Sequence, residues 1–409
     1  METMCDPDAL YRAIIRATKN SKWKESTHKF LQNYLSELFK LERELKTMTY
    51  RTGPHAVFET NERGKIRTIS SLITRDRVVR HVLCDDVLLP AIQKKLIHDN
   101  GASLPGKGIS FTRRRFEQHL HEFWRNHGSD GYILFGDYSK FYDNILHRIA
   151  KEQLLDLYDH DDYLKWLLDV IFSDFELDVG YMSEEDYANQ EHILFSSHEH
   201  RKMVASCDPA VFDGTKLLHK SVGIGDQVSQ IIGIFYPTAV DNYVKTVRGQ
   251  RFYGRYMDDW YLISTDKELL WDILDGVREQ SSRLGMFVNE KKTGIQKLFS
   301  TLTFLQIRYQ LTDSGHLIRR MNPKRTTAMR RKIKKLAPMV YSGDVELEEV
   351  DNMFRSWVGS FHSVLSRQTL SNLFSLYEKL YSCTINVTDN KMVIERRCTP
   401  KWITTTTST

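Results

Sequence analysis

The stretch Arg255-Tyr256-Met257-Asp258-Asp259-Trp260-Tyr261-Leu262-Ile263 places two adjacent carboxylates between β-prone runs of aromatic and aliphatic residues. It predicts a hairpin with the two acids at its tip, because such runs favour strands and acidic residues favour turns. Two neighbouring carboxylates repel each other unless a cation lies beside them. The stretch therefore predicts a cation site, although an Asp-Asp pair is also common in ordinary turns.

A third acid follows a short apolar strand earlier in the chain, Tyr132-Ile133-Leu134-Phe135-Gly136, which ends directly before Asp137. Strand ends at one edge of a sheet are a common place for chemistry, so Asp137, Asp258 and Asp259 are expected to converge there. Mg²⁺ accepts such oxygen ligands when phosphates complete its octahedron. Two ions about 4 Å apart would serve an in-line phosphoryl transfer.

Composition sets the broad class of the protein. The chain has 409 residues, of which 41% are hydrophobic and 27% charged, and its formal net charge is +5. These values exclude a disordered or collagen-like chain and allow two or three domains or one multi-lobed enzyme. No apolar run of about 18 residues occurs and the first residues lack a secretory signal, so we expect a cytoplasmic protein without a membrane partner. The five scattered cysteines are expected to be reduced thiols.

Charge is segregated along the chain. Residues 319–335 carry many basic side chains and no acidic one, whereas residues 172–200 carry acids and no Lys or Arg. Basic stripes of this kind are typical of proteins that bind a phosphate backbone, although each stripe can also be a solvated helix face.

The spacing of apolar residues predicts the elements that connect these features. Helices are expected at 8–49, 75–97, 145–158, 223–247, 269–284, 324–341, 347–365 and 368–381, and strands around 57–69, 132–137, 251–265 and 299–309. Residues 173–220 are expected to form an irregular acidic excursion, and residues 404–409 a frayed tail.

Eight short segments, taken in order, resemble the motifs of the prokaryotic reverse transcriptase family, which includes group II intron, retron, diversity-generating and phage-defence enzymes. Residues 136–145 resemble its first palm motif, residues 224–230 (Ile-Gly-Asp-Gln-Val-Ser-Gln) its second, and residues 256–259 its Tyr-x-Asp-Asp box. Residues 284–293 resemble the next palm motif and residues 304–306 the primer grip. Residues 64–67, 76–79 and 106–108 resemble the fingers motifs.

The resemblance implies an α+β, right-hand polymerase fold with fingers, a palm made of an antiparallel sheet with helices, and a helical thumb. On this basis we expect an N-terminal helical extension at 1–55 and fingers at 56–130. The palm, with its acidic insertion at about 173–220, is expected at 131–310. A helical thumb at 311–385 and a C-terminal tail at 386–409 would follow.

The resemblance also implies catalytic roles. Asp137, Asp258 and Asp259 would hold two Mg²⁺ ions, and Lys292 would donate a proton to the departing pyrophosphate. Lys292 has a simpler interpretation as a solvated surface lysine.

Further residues are assigned by the same resemblance to substrate and nucleic acid. Those expected at the incoming nucleotide or the forming base pair are Lys65, Arg67, Tyr142, Gly225, Ser229 and Gln230. Among them, Tyr142 would pack under the sugar and exclude a 2′-hydroxyl. The basic thumb residues expected to bind nucleic acid are Arg330, Arg331, Lys334 and Lys335.

Two departures from the family pattern refine the expectation. Many members carry Gln-Gly and Ser-Pro in the second motif, where this chain has Ile224-Gly225 and Ser229-Gln230. This form is most similar to diversity-generating and some defence-associated enzymes, and it predicts low fidelity. No endonuclease-type Cys/His cluster follows the predicted thumb.

A zinc site of His192, His198, His200 and Cys207 is a weak alternative, because the spacing fits no familiar template.

The sequence therefore predicts an RNA-directed DNA polymerase that copies a structured non-coding RNA into DNA from dNTPs, in phage defence in a bacterial cytoplasm. A homo-oligomer or an accessory protein is possible. The alternatives are a diversity-generating or retron-type reverse transcriptase and a catalytically inactive RNA-binding protein with a polymerase fold.

Overall fold

The computed structural model describes residues 2–62, 65–388 and 391–396, without the side chains of residues 61, 62, 65, 388 and 391. Contacts divide the chain into two units, residues 1–119 with 131–296 and residues 120–130 with 297–409. The finer boundaries expected at 55, 130 and 310 stay predictions. Helices and antiparallel sheets are both present, in agreement with the α+β class.

Most helices belong to the first unit. They are α1 Pro7–Thr18, α2 Glu25–Gln32, α3 Tyr34–Lys46, α4 Thr74–His81, α5 Leu89–Gln93, α6 Ile109–His127, α7 His147–Leu155, α8 Asp162–Ser173, α9 Glu184–Ala188, α10 Ser197–Ser206, α11 Gln227–Phe235, α12 Thr238–Asn242 and α13 Lys267–Arg283. The last residues of α6 fall in the second unit. Short π-helical segments cover Val82–Leu88 and Tyr243–Val247.

Within the described residues, the strands of the first unit form one four-stranded sheet and three two-stranded ones. They are β1 Ala56–Glu62, β2 Lys65–Ser71, β3 Tyr132–Gly136, β4 Tyr138–Ser139, β5 Leu177–Asp178, β6 Leu217–Leu218, β7 Tyr253–Tyr256, β8 Asp259–Ser264, β9 Phe287–Val288 and β10 Gly294–Lys297. The central sheet has the order β10-β3-β8-β7, and β8 pairs antiparallel with both β3 and β7. The predicted strands at 132–137 and 251–265 are confirmed.

The prediction of one continuous helix over 223–247 is wrong, because two helices cover this range. Pro237 lies between α11 and α12, where its ring and missing N–H do not fit a helix interior. The predicted helix over 8–49 is likewise divided into α1, α2 and α3. Asn33 lies between α2 and α3 with a backbone conformation outside the helical region.

The acidic excursion at 173–220 is more ordered than the sequence suggested. It contains α9, α10 and the paired strands β5 and β6. Val179, Phe195 and Leu218 form a small buried cluster of their own. Such a cluster escapes a search for periodicity because its members come from separate short elements.

The second unit contains α14 Pro323–Ser342, α15 Leu347–Phe361 and α16 Arg367–Tyr381, close to the helices predicted there. Its strands are β11 Leu302–Phe304, β12 Ile307–Leu311, β13 Leu317–Met321, β14 Cys383–Thr388 and β15 Lys391–Arg396. Phe354 and Tyr377 stack with ring centroids 4.2 Å apart in its core.

The tail predicted from residue 386 is wrong for its first part, because β14 and β15 form an antiparallel hairpin. Cys383, Ile385 and Ile394 are buried in the core of the second unit. Arg396 and Tyr377 both donate to Asp351 at 2.7 Å, which ties the hairpin to α15 and α16. The predicted frayed tail at 404–409 lies outside the described residues. Nowhere in the described ranges does a helix have the length and apolar character needed to cross a membrane.

Candidate active site

The β7–β8 hairpin ends in a two-residue turn made of Met257 and Asp258. Tyr256 and Asp259 are the last paired residues, which confirms the predicted hairpin and its acidic tip. Met257 has φ of 53°, in the left-handed region that two-residue hairpin turns require and that normally favours glycine. A residue with a side chain costs of order 1 kcal/mol there, so other contacts must hold this turn.

Two side chains hold the Met257 turn by hydrogen bonds. Arg255 donates from Nη1 to the Met257 carbonyl oxygen at 3.1 Å. The Tyr142 hydroxyl donates to the Met257 sulfur, with the two atoms 3.7 Å apart. The turn that carries Asp258 is therefore fixed by a residue of its own strand and by one that follows β3.

Arg255 is itself fixed by Asp241 of α12, and both side chains are fully buried. Arg255 donates from Nε at 2.9 and 3.0 Å and from Nη2 at 2.7 Å to the two Asp241 oxygens. The Tyr253 hydroxyl donates to the same carboxylate at 2.7 Å. Burial alone would lower the pKa of Arg255, but the Asp241 carboxylate outweighs it and raises that pKa, so the guanidinium stays charged.

Sequence reasoning missed the role of Arg255. A signal was present, because a charged residue inside a strongly apolar strand is buried only when it is paired. Its partner was hidden, since Asp241 lies on a helix and no spacing rule connects it to the strand.

Asp137 faces the hairpin across the central sheet. Gly136 pairs with Trp260, and continuing the same register by one position sets Asp137 opposite Asp259. A Cβ atom at Gly136 would lie 2.0 Å from the Trp260 ring, so only glycine allows this strand and ring to pack. The predicted approach of the strand end to the acidic hairpin is confirmed.

The Asp137 carboxylate is buried and held by the loop after β9. The Lys292 ammonium donates to its two oxygens at 2.7 and 2.6 Å, and the Asn289 side-chain amide donates to Oδ1 at 3.1 Å. The Asn289 backbone N–H donates to the Asp137 carbonyl at 2.8 Å. The structure thus places Lys292 against the carboxylates and adds Asn289, which sequence reasoning did not single out.

Asp258 lies close enough to Asp137 to feel its charge. Burial, followed by the Asp137 carboxylate, raises the pKa of Asp258, and the charges of Lys292 and Arg67 oppose this rise. The arrangement is the predicted one, in which neighbouring acids favour a cation between or beside them. Carboxylate oxygens are also the donors that Mg²⁺ prefers, so these residues fit that ion.

Arg67 of β2 lies near the same residues. Burial raises the pKa values of Tyr142 and Asp258, and the charge of Arg67 partly opposes both rises. The side chain of Lys65 lies outside the described part of the chain. β2 is joined to the second motif by a hydrogen bond of 2.9 Å from the Ser70 N–H to the Ile224 carbonyl.

Gly225 has φ of 117°, and a Cβ atom there would lie 2.6 Å from the Ser70 carbonyl oxygen. The close approach that it permits is therefore to β2. Its predicted contact with a base pair stays a prediction.

Tyr142, Ser229 and Gln230 occupy different environments. The Tyr142 ring lies against Gly233 of α11, and burial raises the pKa of Tyr142 to about 12. Ser229 is buried, and its hydroxyl has no hydrogen-bond partner among the described residues. Gln230 is exposed. The predicted substrate contacts of Ser229 and Gln230 stay predictions.

The predicted nucleic-acid-binding residues lie on α14 in the second unit. Met329, Ile333, Ala337 and Val340 are the buried positions of this helix. Arg331, Lys334 and Lys335 are exposed, and Arg330 is half-buried. The helix therefore separates an apolar face from a basic face, as the spacing predicts.

The weak alternative of a zinc site at His192, His198, His200 and Cys207 is not supported. Within the described residues, the clusters able to hold a metal ion do not include any of these four. His200 is buried, with its Nδ1 atom 3.2 Å from the Tyr181 hydroxyl.

Comparison with known proteins gives only partial likenesses. No family model and no curated protein matches the chain. Telomerase from Candida albicans, solved in complex with a TWJ fragment of telomeric RNA, is 14% identical with a TM-score of 0.44, covering 87% of this chain and 63% of that one. Apo telomerase from Candida tropicalis, truncated from the C-terminal domain, is 15% identical with a TM-score of 0.41. That match covers 64% of this chain and 54% of the telomerase chain. The chain thus spans less than two thirds of either length, and neither likeness assigns a fold or an activity.

We expect Asp241→Ala to destabilise the protein by about 3–5 kcal/mol, because it leaves the buried Arg255 guanidinium without its carboxylate. Urea unfolding of the variant and the parent measures the difference. Glu279→Ala is the matched control, since it breaks an exposed pair with Arg283 and should cost no more than about 0.5 kcal/mol. Equal losses in the two variants would contradict the structural role of the buried pair.

For the basic face of α14, we expect replacement of Arg330, Arg331, Lys334 and Lys335 by Gln to weaken binding of an RNA–DNA duplex. Each lost phosphate contact should reduce the magnitude of the log–log salt slope by roughly 0.7 to 0.9. Fluorescence anisotropy titrations at several salt concentrations measure this slope. Lys46→Gln with Arg283→Gln is the control, because both residues are already paired with acids. An unchanged slope would show that the face does not bind the backbone.

Proposed function

We propose that the chain is an RNA-directed DNA polymerase, a nucleotidyltransferase that extends a primer by phosphoryl transfer. The observation that carries this proposal is the convergence of Asp137 and Asp258, with Asp259 in register opposite Asp137. A partly buried cluster of carboxylates at the edge of a sheet is what a metal-assisted phosphoryl transfer needs. The order of the motifs supports the polymerase over other phosphoryl-transfer enzymes.

Asp137, Asp258 and Asp259 are the residues that would hold two Mg²⁺ ions. When bound, such ions lower the pKa of an attacking hydroxyl and stabilise the charge on the leaving oxygen. The contribution of the protein is to hold the carboxylates in place before substrate arrives. Asn289 holds Asp137 in place. The Arg255–Asp241 pair holds the Met257-Asp258 turn.

Positive side chains near the cluster suit a nucleoside triphosphate. Arg67 is close enough to act on Asp258, and its guanidinium can pair with phosphate oxygens in a bidentate way. Lys292 is half-exposed and bonded to Asp137, so its ammonium can turn toward an incoming phosphate and donate a proton to the departing pyrophosphate.

We extend the proposal to the template and to the biological role. The acidic segment at 173–220 favours a dedicated structured RNA as template and a role in phage defence, whereas the Ile224-Gly225 and Ser229-Gln230 pattern fits both defence-associated and diversity-generating enzymes. Sequencing of the RNA and DNA that co-purify with the protein tests this part. A discrete RNA with complementary DNA is expected, whereas a variable-region template would favour a diversity-generating enzyme.

The catalytic assignment predicts that Asp258→Asn with Asp259→Asn lowers the rate of dNTP incorporation by at least about a thousandfold. Primer extension on an RNA template measures the rate, and binding of the same template–primer checks that the variant still recognises nucleic acid. Asp275→Asn, at an exposed position of α13, is the control and should keep the parental rate. Undiminished extension by the double variant would rule out the assignment, and absence of extension by the parent would favour an inactive RNA-binding protein.

The position of Tyr142 predicts a role in sugar discrimination. Its ring is held between Gly233 and the Met257 turn, beside the carboxylates, where it can block a 2′-hydroxyl. Tyr142→Ala should raise the ratio of kcat/KM for rNTP to that for dNTP by tenfold or more, if relief of the clash exceeds about 1.4 kcal/mol.

Tyr142→Phe is the control for this prediction. It keeps the ring and loses only the hydroxyl that donates to the Met257 sulfur, so the sugar preference should remain. A ratio that stays unchanged in Tyr142→Ala while thermal stability falls would make Tyr142 a packing residue alone.

A further inference from the structure

A second group of metal-ligating side chains lies at the base of the acidic excursion. His147 is the first residue of α7, Glu176 precedes β5, and His219 follows β6. Each offers one ligand atom, and these atoms all lie within 4.8 Å of one another. The proposed polymerase does not use any of the three.

The backbone brings the two ends of the excursion together at this point. Leu177 pairs with Leu218, and the same register continued by one position sets Glu176 opposite His219. The His219 Nδ1 atom lies 3.1 Å from Glu176 Oε1. The His147 backbone N–H donates to the His219 carbonyl at 3.0 Å, which fixes the start of α7 beside the paired residues Glu176 and His219.

His147 is oriented as a metal ligand. Its Nε2 atom lies 2.7 Å from the Ser221 carbonyl oxygen, and because a carbonyl only accepts, Nε2 carries the proton. The Nδ1 atom therefore presents a lone pair. That atom is buried and has no hydrogen-bond partner in the part of the chain that the structure describes, and only 3% of the residue is exposed. A ligating histidine usually donates its other N–H to a backbone carbonyl in this way.

We propose that His147, Glu176 and His219 form a binding site for a divalent transition-metal ion, Zn²⁺ being the best fit. Two imidazoles and one carboxylate suit zinc better than magnesium, which prefers oxygen ligands. Ligand atoms in tetrahedral zinc sites lie about 3.3 Å apart, so the atoms that are now up to 4.8 Å apart would move closer when the ion binds. His219 is half-exposed, which leaves room for a water molecule as the fourth ligand.

The consequence of such a site is structural. It would hold together the two ends of the segment 177–218. It would also fix the start of α7 to the segment that leads into the second motif at 224–230. Closing a long loop restricts the unfolded chain, and binding energy at such a site becomes folding energy.

Zinc binding is tested with tag-free, full-length protein that has been stripped with a chelator. Zn²⁺ is titrated against a chromophoric chelator in excess Mg²⁺, which occupies the oxygen-rich acidic cluster. One tightly bound Zn²⁺ per chain is expected, with affinity at least tenfold lower in His219→Gln and in Glu176→Gln. Both substitutions are at positions that are not fully buried, so they should leave the fold intact.

The chain offers a matched control in His160, which lies with Glu152 and Asp156 in an exposed cluster of similar composition. His160→Gln should bind Zn²⁺ as the parent does. The proposal is overturned if the parent binds Zn²⁺ no more tightly than the His219→Gln, Glu176→Gln double variant. Loss of binding in His160→Gln alone would move the site to the exposed cluster.

A measurement on the unaltered protein covers the case in which the variants fail to fold. Zn²⁺ should slow limited proteolysis within residues 177–218 and should give Co²⁺-substituted protein the intense visible absorption of tetrahedral coordination. Equal cleavage rates with and without Zn²⁺, together with a weak octahedral Co²⁺ spectrum, would exclude the site.

Discussion

The ion pair between Arg255 and Asp241 is the interaction on which the acidic cluster depends. Asp241 orients the guanidinium, the guanidinium holds the Met257 carbonyl, and the Met257 turn presents Asp258. Removing either partner leaves a buried charge, which is far more costly than the pair itself is stabilising. A pair of apolar residues of similar volume would preserve much of the stability, yet it would release the Met257 carbonyl. The pair is therefore better understood as a device for fixing one turn conformation than as a source of stability.

The same pair connects the sheet to elements distant in sequence. Arg255 also donates from Nη2 to the Ile234 carbonyl at the end of α11, and its backbone N–H donates to the Asp99 carbonyl. α11 in turn supplies Gly233, against which the Tyr142 ring packs. The turn, the ring beside it and the helix behind them thus share one buried network, and a change in any one of them is felt by the others.

Much of this site could be predicted from the sequence because its signals are local. The hairpin follows from alternating β-prone residues around two acids, and Asp137 follows from its place at the end of an apolar strand. Lys292 was found only through the order of the motifs, since a lysine between two strands gives no sign of its partner. Asn289 and Asp241 could not be found, because their role lies in contacts with residues far away in sequence. The β14–β15 hairpin was missed because its alternation is short and polar residues interrupt it.

Asp137 has two side-chain partners that differ in mobility, the Asn289 amide and the Lys292 ammonium. The Asn289 side-chain amide donates to the Asp137 carboxylate, and the Asn289 backbone N–H donates to the Asp137 backbone carbonyl, so one residue holds both the side chain and the main chain of Asp137. Lys292 is half-exposed on a flexible side chain, so its ammonium is the partner of the carboxylate that can move. Asp258 has no such direct bond from Lys292, and its pKa is raised by burial and then by the Asp137 carboxylate. In the proposed polymerase, an approaching Mg²⁺ ion would therefore meet one carboxylate that Asn289 holds in place and one lysine whose flexible side chain can move aside.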